Sequence, residues 1–195
     1  QNINSLTSDT PIIIDFEGEA FKDVGLFAIT GPTGAGKTTI LDAIMIALYH
    51  KIPRLNTEGQ PALEMAISHG AANAFVTLDF ENNNTRYQAH WDVQTQSKTG
   101  KPINPKHNFS ISNLSTEEII ASGKKTAVFD AIEGIINLSA SQFLRSVLLA
   151  QGEFAAFLNA SGSEKAKLLE QITGEDIYKK IGQQTYNRKD TEEKI

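Results

Sequence analysis

The residues with the most chemistry to offer are Gly31, Gly36, Lys37 and Thr38, spaced Gly-x-x-x-x-Gly-Lys-Thr inside the stretch AITGPTGAGKTTILDAI, residues 28–44. That spacing suits a phosphate cradle. Glycines at Gly31, Gly34 and Gly36 let successive backbone N–H groups turn inward around a β-phosphate with no Cβ in the way. Pro32, Thr33 and Ala35 complete the loop through backbone contact, and Thr39 follows it. Lys37 would set a point charge on the β and γ oxygens, the Thr38 hydroxyl would ligate Mg2+, and a helix opening at Lys37 would aim its positive end at the anion. The plainer alternative is a chance glycine-rich turn, against which the full motif between an apolar strand and an amphipathic helix argues.

Hydrolysis also needs an acid to orient Mg2+ and water, typically an Asp closing an apolar strand. Two stretches imitate this: Ile12-Ile13-Ile14-Asp15-Phe16-Glu17, upstream of the loop, and Phe75-Val76-Thr77-Leu78-Asp79, whose alternation describes a half-exposed hairpin strand. The plainer reading of each is a strand-end acid facing solvent. Asn187-Arg188-Lys189-Asp190 has the wrong order for a guanine-reading Asn-Lys-x-Asp. His50, His69, His90 and His107 are too scattered for metal-ligand spacing. Tyr87 and Trp91 could stack a base, although such residues more often fill a core or cover a sheet.

The elements that must position the loop follow from periodicity. Strands are expected at Pro11–Phe16 and at Gly25–Thr30, the second running into the glycines. Ile40, Leu41, Ile44, Met45 and Leu48 share one helix face, with the helix ending near Ile52-Pro53-Arg54 because a residue before proline is pushed out of the helical region. Phe75–Phe80 and Thr85–Trp91 alternate around Asn82-Asn83-Asn84 and read as a hairpin. Gln94–Asn108 reads as an exposed loop, with Lys98, Lys101 and Lys106 a solvated flank or, alternatively, a DNA-facing one. A third strand is expected at Phe109–Leu114. Helices follow from Thr126 and after an N-cap at Ser139, then over Ser163–Gly174 beyond a break at Gln151-Gly152-Glu153; Ile177, Ile181 and Thr185 carry only weak apolar spacing.

Composition narrows the class. The chain has 195 residues, 40% of them hydrophobic, which suffices for one domain and a real core. It contains no cysteine, which excludes disulfides and thiolate zinc sites, and its net charge of −5 argues against a binder that works through a broad basic face. No apolar run reaches membrane-spanning length, and Gln1-Asn2-Ile3-Asn4 lacks the features of a secretory leader, so a cytoplasmic location without membrane contact is expected.

The residues from Gly25 to Thr39, with Leu41-Asp42-Ala43-Ile44 and Ala47-Leu48-Tyr49-His50, resemble the N-terminal ATPase-head segment of the SbcC family, the SMC-like subunits of SbcC–SbcD nucleases. The resemblance recurs at Asn4-Ser5-Leu6, over Arg145–Ala160, at Leu168–Gly174 and at Ile177-Tyr178; about Asn56 to Lys125 it is general in character only. It implies an α/β P-loop NTPase of the ABC/SMC-like type, the N-terminal half of a split head with a mixed sheet, a β-rich subdomain and a helical lobe. The expected organisation is a P-loop lobe over 1–150 with its β subdomain at about 71–115, a Q-loop and helical lobe over 151–178, and the root of a coiled coil over 179–195.

In that family a long coiled coil with a zinc hook follows, and a C-terminal segment brings the signature motif, Walker B and a catalytic glutamate, so the acid missing here would lie there. The resemblance further implies ATP and Mg2+ as ligands, Gln151 as a Q-loop residue touching Mg2+ and the attacking water, and Asn4 and Ser5 near the nucleotide. Implied partners are the C-terminal half of the same polypeptide, a second copy in a head dimer, the SbcD nuclease and double-stranded DNA. Two other classes stay open: a self-contained P-loop NTPase or kinase using Asp15 or Asp79, and a scaffold switched by nucleotide.

Overall fold

The computed structural model describes residues 1–52 and 63–148, together with Thr185, Tyr186 and Arg188. Gln151, the helical run to 178 and most of 179–195 lie outside the described residues. The chain forms two compact units, Gln1–Asn137 and Leu138–Ile195.

The first unit is built on a four-stranded antiparallel meander: β1 (Asn73–Asn82), β2 (Thr85–Gln96), β3 (Pro102–Asn113) and β4 (Glu118–Ser122), paired in that order. The hairpin expected around Asn82–Asn84 is present. Asn82 pairs with Thr85, leaving a two-residue loop in which Asn83 and Asn84 both take positive φ, 50° and 59°. Asparagine tolerates that region best after glycine, and such a turn matches the twist of the strands.

Pairing also sorts the side chains. The rows Val76–Trp91–Phe109 and Leu78–Ala89–Ile111 lie on one face, where Trp91, Ala89 and Ile111 are fully buried. Trp91 is therefore core. The other face carries Thr77–His90–Ser110 and Asp79–Gln88–Ser112. Helix α1 (Lys37–Tyr49) packs on β1 and β2, α2 (Lys125–Ile136) packs on β3 and β4, and the two helices touch each other.

Several expectations need correction. Neither Pro11–Phe16 nor Gly25–Thr30 forms a strand, and both are exposed: Ile13 is 84% and Leu26 90% accessible. An apolar β-branched run becomes a strand only when neighbouring strands supply its ladder, and the described sheet does not reach these segments. Around them Phe16, Phe21 and Phe27 pack on one another at 5.0–5.8 Å, and both Glu17 carboxylate oxygens accept from Arg86 Nη2 on β2 (2.7 and 2.8 Å). The exposed loop expected over Gln94–Asn108 shrinks to Ser97–Lys101, because polar residues on both faces of early β3 hid its alternation. β4 carried no clear signal.

Helix α1 also turns a different face inward. Met45 and Leu48 are buried as expected, but so are Thr39, Asp42, Ile46 and Tyr49, whereas Leu41 is exposed. The helix stops at His50 in the left-handed region (φ 52°), ahead of the proline. In the second unit Ser139 is an N-cap, as expected. Its hydroxyl accepts from the Gln142 N–H (3.3 Å), and its own N–H donates to the Gln142 side-chain oxygen (2.8 Å), ahead of the short helix α3 (Ala140–Phe143) and a π turn at Leu144–Leu148. Among the described residues no helix is long and apolar enough to cross a membrane.

Candidate nucleotide site

The loop at residues 31–36 connects the Gly25–Thr30 segment to α1. Gly34 and Gly36 both have φ of +86°, a conformation that L side chains rarely adopt, and the Ala35 N–H closes a turn on the Pro32 carbonyl (3.2 Å). Gly36 is the N-cap residue of α1; no side chain caps the helix and its first turn holds no acidic residue. The amides that open α1 thus lack the carboxylate or hydroxyl that usually satisfies them, an arrangement suited to an external anion.

Lys37 bends back over the loop. Its Nζ donates to the Gly31 carbonyl (2.7 Å) and the Pro32 carbonyl (2.8 Å), which keeps the ammonium above the turn. Thr33 and Thr38 are exposed, and Thr39 is buried on the other side of the helix. Gly31 approaches only the Ala35 methyl, and the space beside Gly34 is open.

Gly36 is different. A Cβ there would lie 2.5 Å from Leu6 Cδ2, 2.9 Å from Leu6 Cγ and 3.3 Å from Ser5 Oγ. The turn at Asn4-Ser5-Leu6 therefore sits directly behind the loop. Asn4 itself takes φ 46°, and its side-chain Nδ2 is buried without a partner. The resemblance gives Asn4 and Ser5 a place near the nucleotide but assigns no role to Leu6, the apolar residue that closes the same Asn4-Ser5-Leu6 stretch.

The acids suggested by pattern are engaged in their own elements. Asp15 accepts the Glu17 N–H (2.9 Å) in a turn, and Asp79 accepts from the Gln88 side chain across the hairpin (2.9 Å); both are exposed. Gln151 lies outside the described residues. The described residues contain no cluster of three or more His, Cys, Asp or Glu that could hold a metal.

Two histidines gain structural roles instead. Trp91 Nε1–H donates to His107 Nδ1 (3.2 Å); the indole can only donate, so the ring proton sits on Nε2, which faces Glu64 Oε1 at 2.9 Å. His50 is buried against the Phe109 ring (centroids 4.3 Å apart) with neither ring nitrogen paired, and burial, aided by the Lys125 charge, lowers its pKa to about 4. Burial, with the Glu133 charge second, raises the pKa of the neighbouring Tyr49.

Comparison with known proteins gives the family. Residues 1–195 match the family described as AAA domain, and the chain belongs to that family. The Gly31–Thr38 spacing is that of a P-loop NTPase, the class to which that family belongs. Within that class the chain is 35% identical over 202 residues to the SbcC subunit of nuclease SbcCD from Pseudomonas aeruginosa, covering 96% of this chain and 16% of that protein. The corresponding SbcC subunit from Rhodobacter capsulatus is 35% identical over 203 residues, again 96% and 16%. A probable DNA double-strand break repair Rad50 ATPase of Aquifex aeolicus is 31% identical over 175 residues, 89% of this chain and 16% of that protein. The resemblance read from the sequence thus extends over nearly the whole chain, which spans 16% of the length of each of these relatives.

Proposed function

We propose that this chain is the ATP-binding half of the ATPase subunit of a nuclease complex acting on double-stranded DNA ends and hairpins in DNA repair and recombination. The observation that carries the reading is the loop itself: an uncapped helix start at Gly36, no acid in the first turn, and Lys37 held over the Gly31 and Pro32 carbonyls. These residues fit a triphosphate. Backbone N–H groups from Thr33 to Thr39 would cradle the β-phosphate, and Lys37 would move its ammonium from the two carbonyls to phosphate oxygens.

Magnesium, bound with the nucleotide, supplies charge neutralisation at the phosphates. Thr38 would hold it, Gln151 would contact it and orient the attacking water, and Asn4 and Ser5 would lie near the nucleotide. Relatives named as the SbcC subunit of an SbcCD nuclease support a head completed by the C-terminal half of the same polypeptide. The accessible side chains of Ile12, Ile13, Ile14, Leu26, Phe27 and Ile29 support it too, because two short runs of the chain each expose several large apolar residues, as segments awaiting a partner do. In that assembly a second copy would close ATP between Walker A and the signature motif, and the cycle would gate an SbcD-type nuclease in the cytoplasm.

The test is steady-state ATP hydrolysis by this chain alone and mixed with the C-terminal segment of its own gene, with Lys37→Ala as control. Activity that appears on mixing and depends on Lys37 is the expected result. Full Lys37-dependent turnover by the chain alone would overturn the split head in favour of a self-contained enzyme using Asp15 or Asp79.

A further inference from the structure

We infer that Leu6 is a positioning residue for the nucleotide loop: it occupies the space where a Gly36 side chain would stand and holds the loop in its phosphate-ready shape. The inference rests on the nucleotide reading and adds to it a residue that makes no contact with ligand.

The contact is tight and one-sided. A Cβ on Gly36 would overlap Leu6 Cδ2 at 2.5 Å, so the isobutyl group fills the space beside the α carbon that opens α1. What lies behind Leu6 does not yield. Leu6 and Ile3 exchange backbone bonds (Leu6 N–H to Ile3 O 2.8 Å, Ile3 N–H to Leu6 O 3.3 Å), and Ile3 is 2% exposed. The Asn4 N–H donates to the Ala66 carbonyl (2.6 Å), the Ser68 hydroxyl to the Asn4 carbonyl (2.7 Å), and the Ser68 N–H to the Asn2 carbonyl (3.0 Å). A 3₁₀ turn at Glu64–Ala66 leads into these bonds, and Glu64 is anchored to the sheet through His107 and Trp91. The support therefore runs without a gap from the buried sheet face to the loop.

Such a brace adds to the loop's own ties, the Lys37 bonds to the Gly31 and Pro32 carbonyls and the Ala35–Pro32 turn. Gly34 meets open space, and the helix start has no side-chain cap. Two glycines at positive φ sample many conformations unless a neighbour restricts them. A loop already held in its bound shape loses less freedom when the anion arrives, and that difference enters the affinity directly.

The test is titration of the full-length protein with Mg·ATP by calorimetry, together with amide hydrogen exchange, for wild type, Leu6→Ala, Leu6→Met and Lys37→Ala. Leu6→Ala should raise the Kd about tenfold. It should also speed exchange over residues 34–38 while β2 and β3 keep their protection, and Leu6→Met should restore both readouts. Wild-type affinity or unchanged loop exchange in Leu6→Ala would overturn the inference. Should Leu6→Ala fail to fold, Leu6→Val decides in its place, with about a threefold rise in Kd expected and none counting against it. Wild-type affinity in Lys37→Ala would sink the nucleotide reading itself.

Discussion

Stability should fall with acidification through His50, and the size of the fall can be worked out. The ring is 3% exposed, stacks on Phe109, and has neither nitrogen hydrogen-bonded, so the folded protein holds it neutral with a pKa of about 4 against 6.5 in an unfolded chain. The folded pKa is the lower one, so the unfolded chain binds the proton first. The contribution is complete above pH 6.5 and is lost as pH falls towards 4. Integrating the two titrations gives a loss of about 2 kcal/mol between pH 7 and pH 5 and about 3 kcal/mol by pH 4. That is a large share of the about 5–15 kcal/mol typical of a folded domain. Urea midpoints from pH 7.5 to 4 would measure it, with His50→Asn as reference. Asparagine tolerates the left-handed φ at this cap and does not titrate, so its curve removes the contributions of all other groups. Lys125→Ala should keep most of the slope, since burial is the larger cause. Identical pH slopes for wild type and His50→Asn would refute the argument.

Three further outcomes can be checked by denaturation. Gly34→Ala should cost only the left-handed conformation, about 1–2 kcal/mol, whereas Gly36→Ala should cost about 1–3 kcal/mol more from overpacking on Leu6; equal costs would contradict the contact. Trp91→Ala should destabilise by about 3–5 kcal/mol, and Trp91→Phe should additionally release the Nδ1 of His107, visible as a changed imidazole nitrogen shift in NMR. Arg86→Ala should cost no more than about 1 kcal/mol despite its contact with both Glu17 carboxylate oxygens, because both partners are more than half exposed.

Some of this protein is written locally. The spacing from Gly31 to Thr38 is legible as a candidate phosphate loop because the φ values and groups such a loop requires belong to those residues alone. The Asn83-Asn84 turn and the Ser139 cap are legible for the same reason, since each is settled within four residues of chain. Similarity across 96% of the chain agrees with the family read from those residues.

Other features depend on what lies opposite. Pro11–Phe16 has the pattern of a strand, yet no ladder reaches it; early β3 has the pattern of a loop, yet β2 pairs with it from Gln96 to Gln94 and onward. Helix α1 could bury Leu41, but packing against β1, β2 and α2 selects the face with Asp42 and Tyr49. The same holds at the site. Motif spacing announces Gly36, but Leu6 lies far upstream of it in the chain, and only folding onto the Ala66–Ser68 segment brings the two into contact. Backbone preference and the period of apolar residues act over a few residues and so are present in the sequence itself. The choice of partner and of buried face is a competition among contacts distant in the chain, and the tertiary structure decides it.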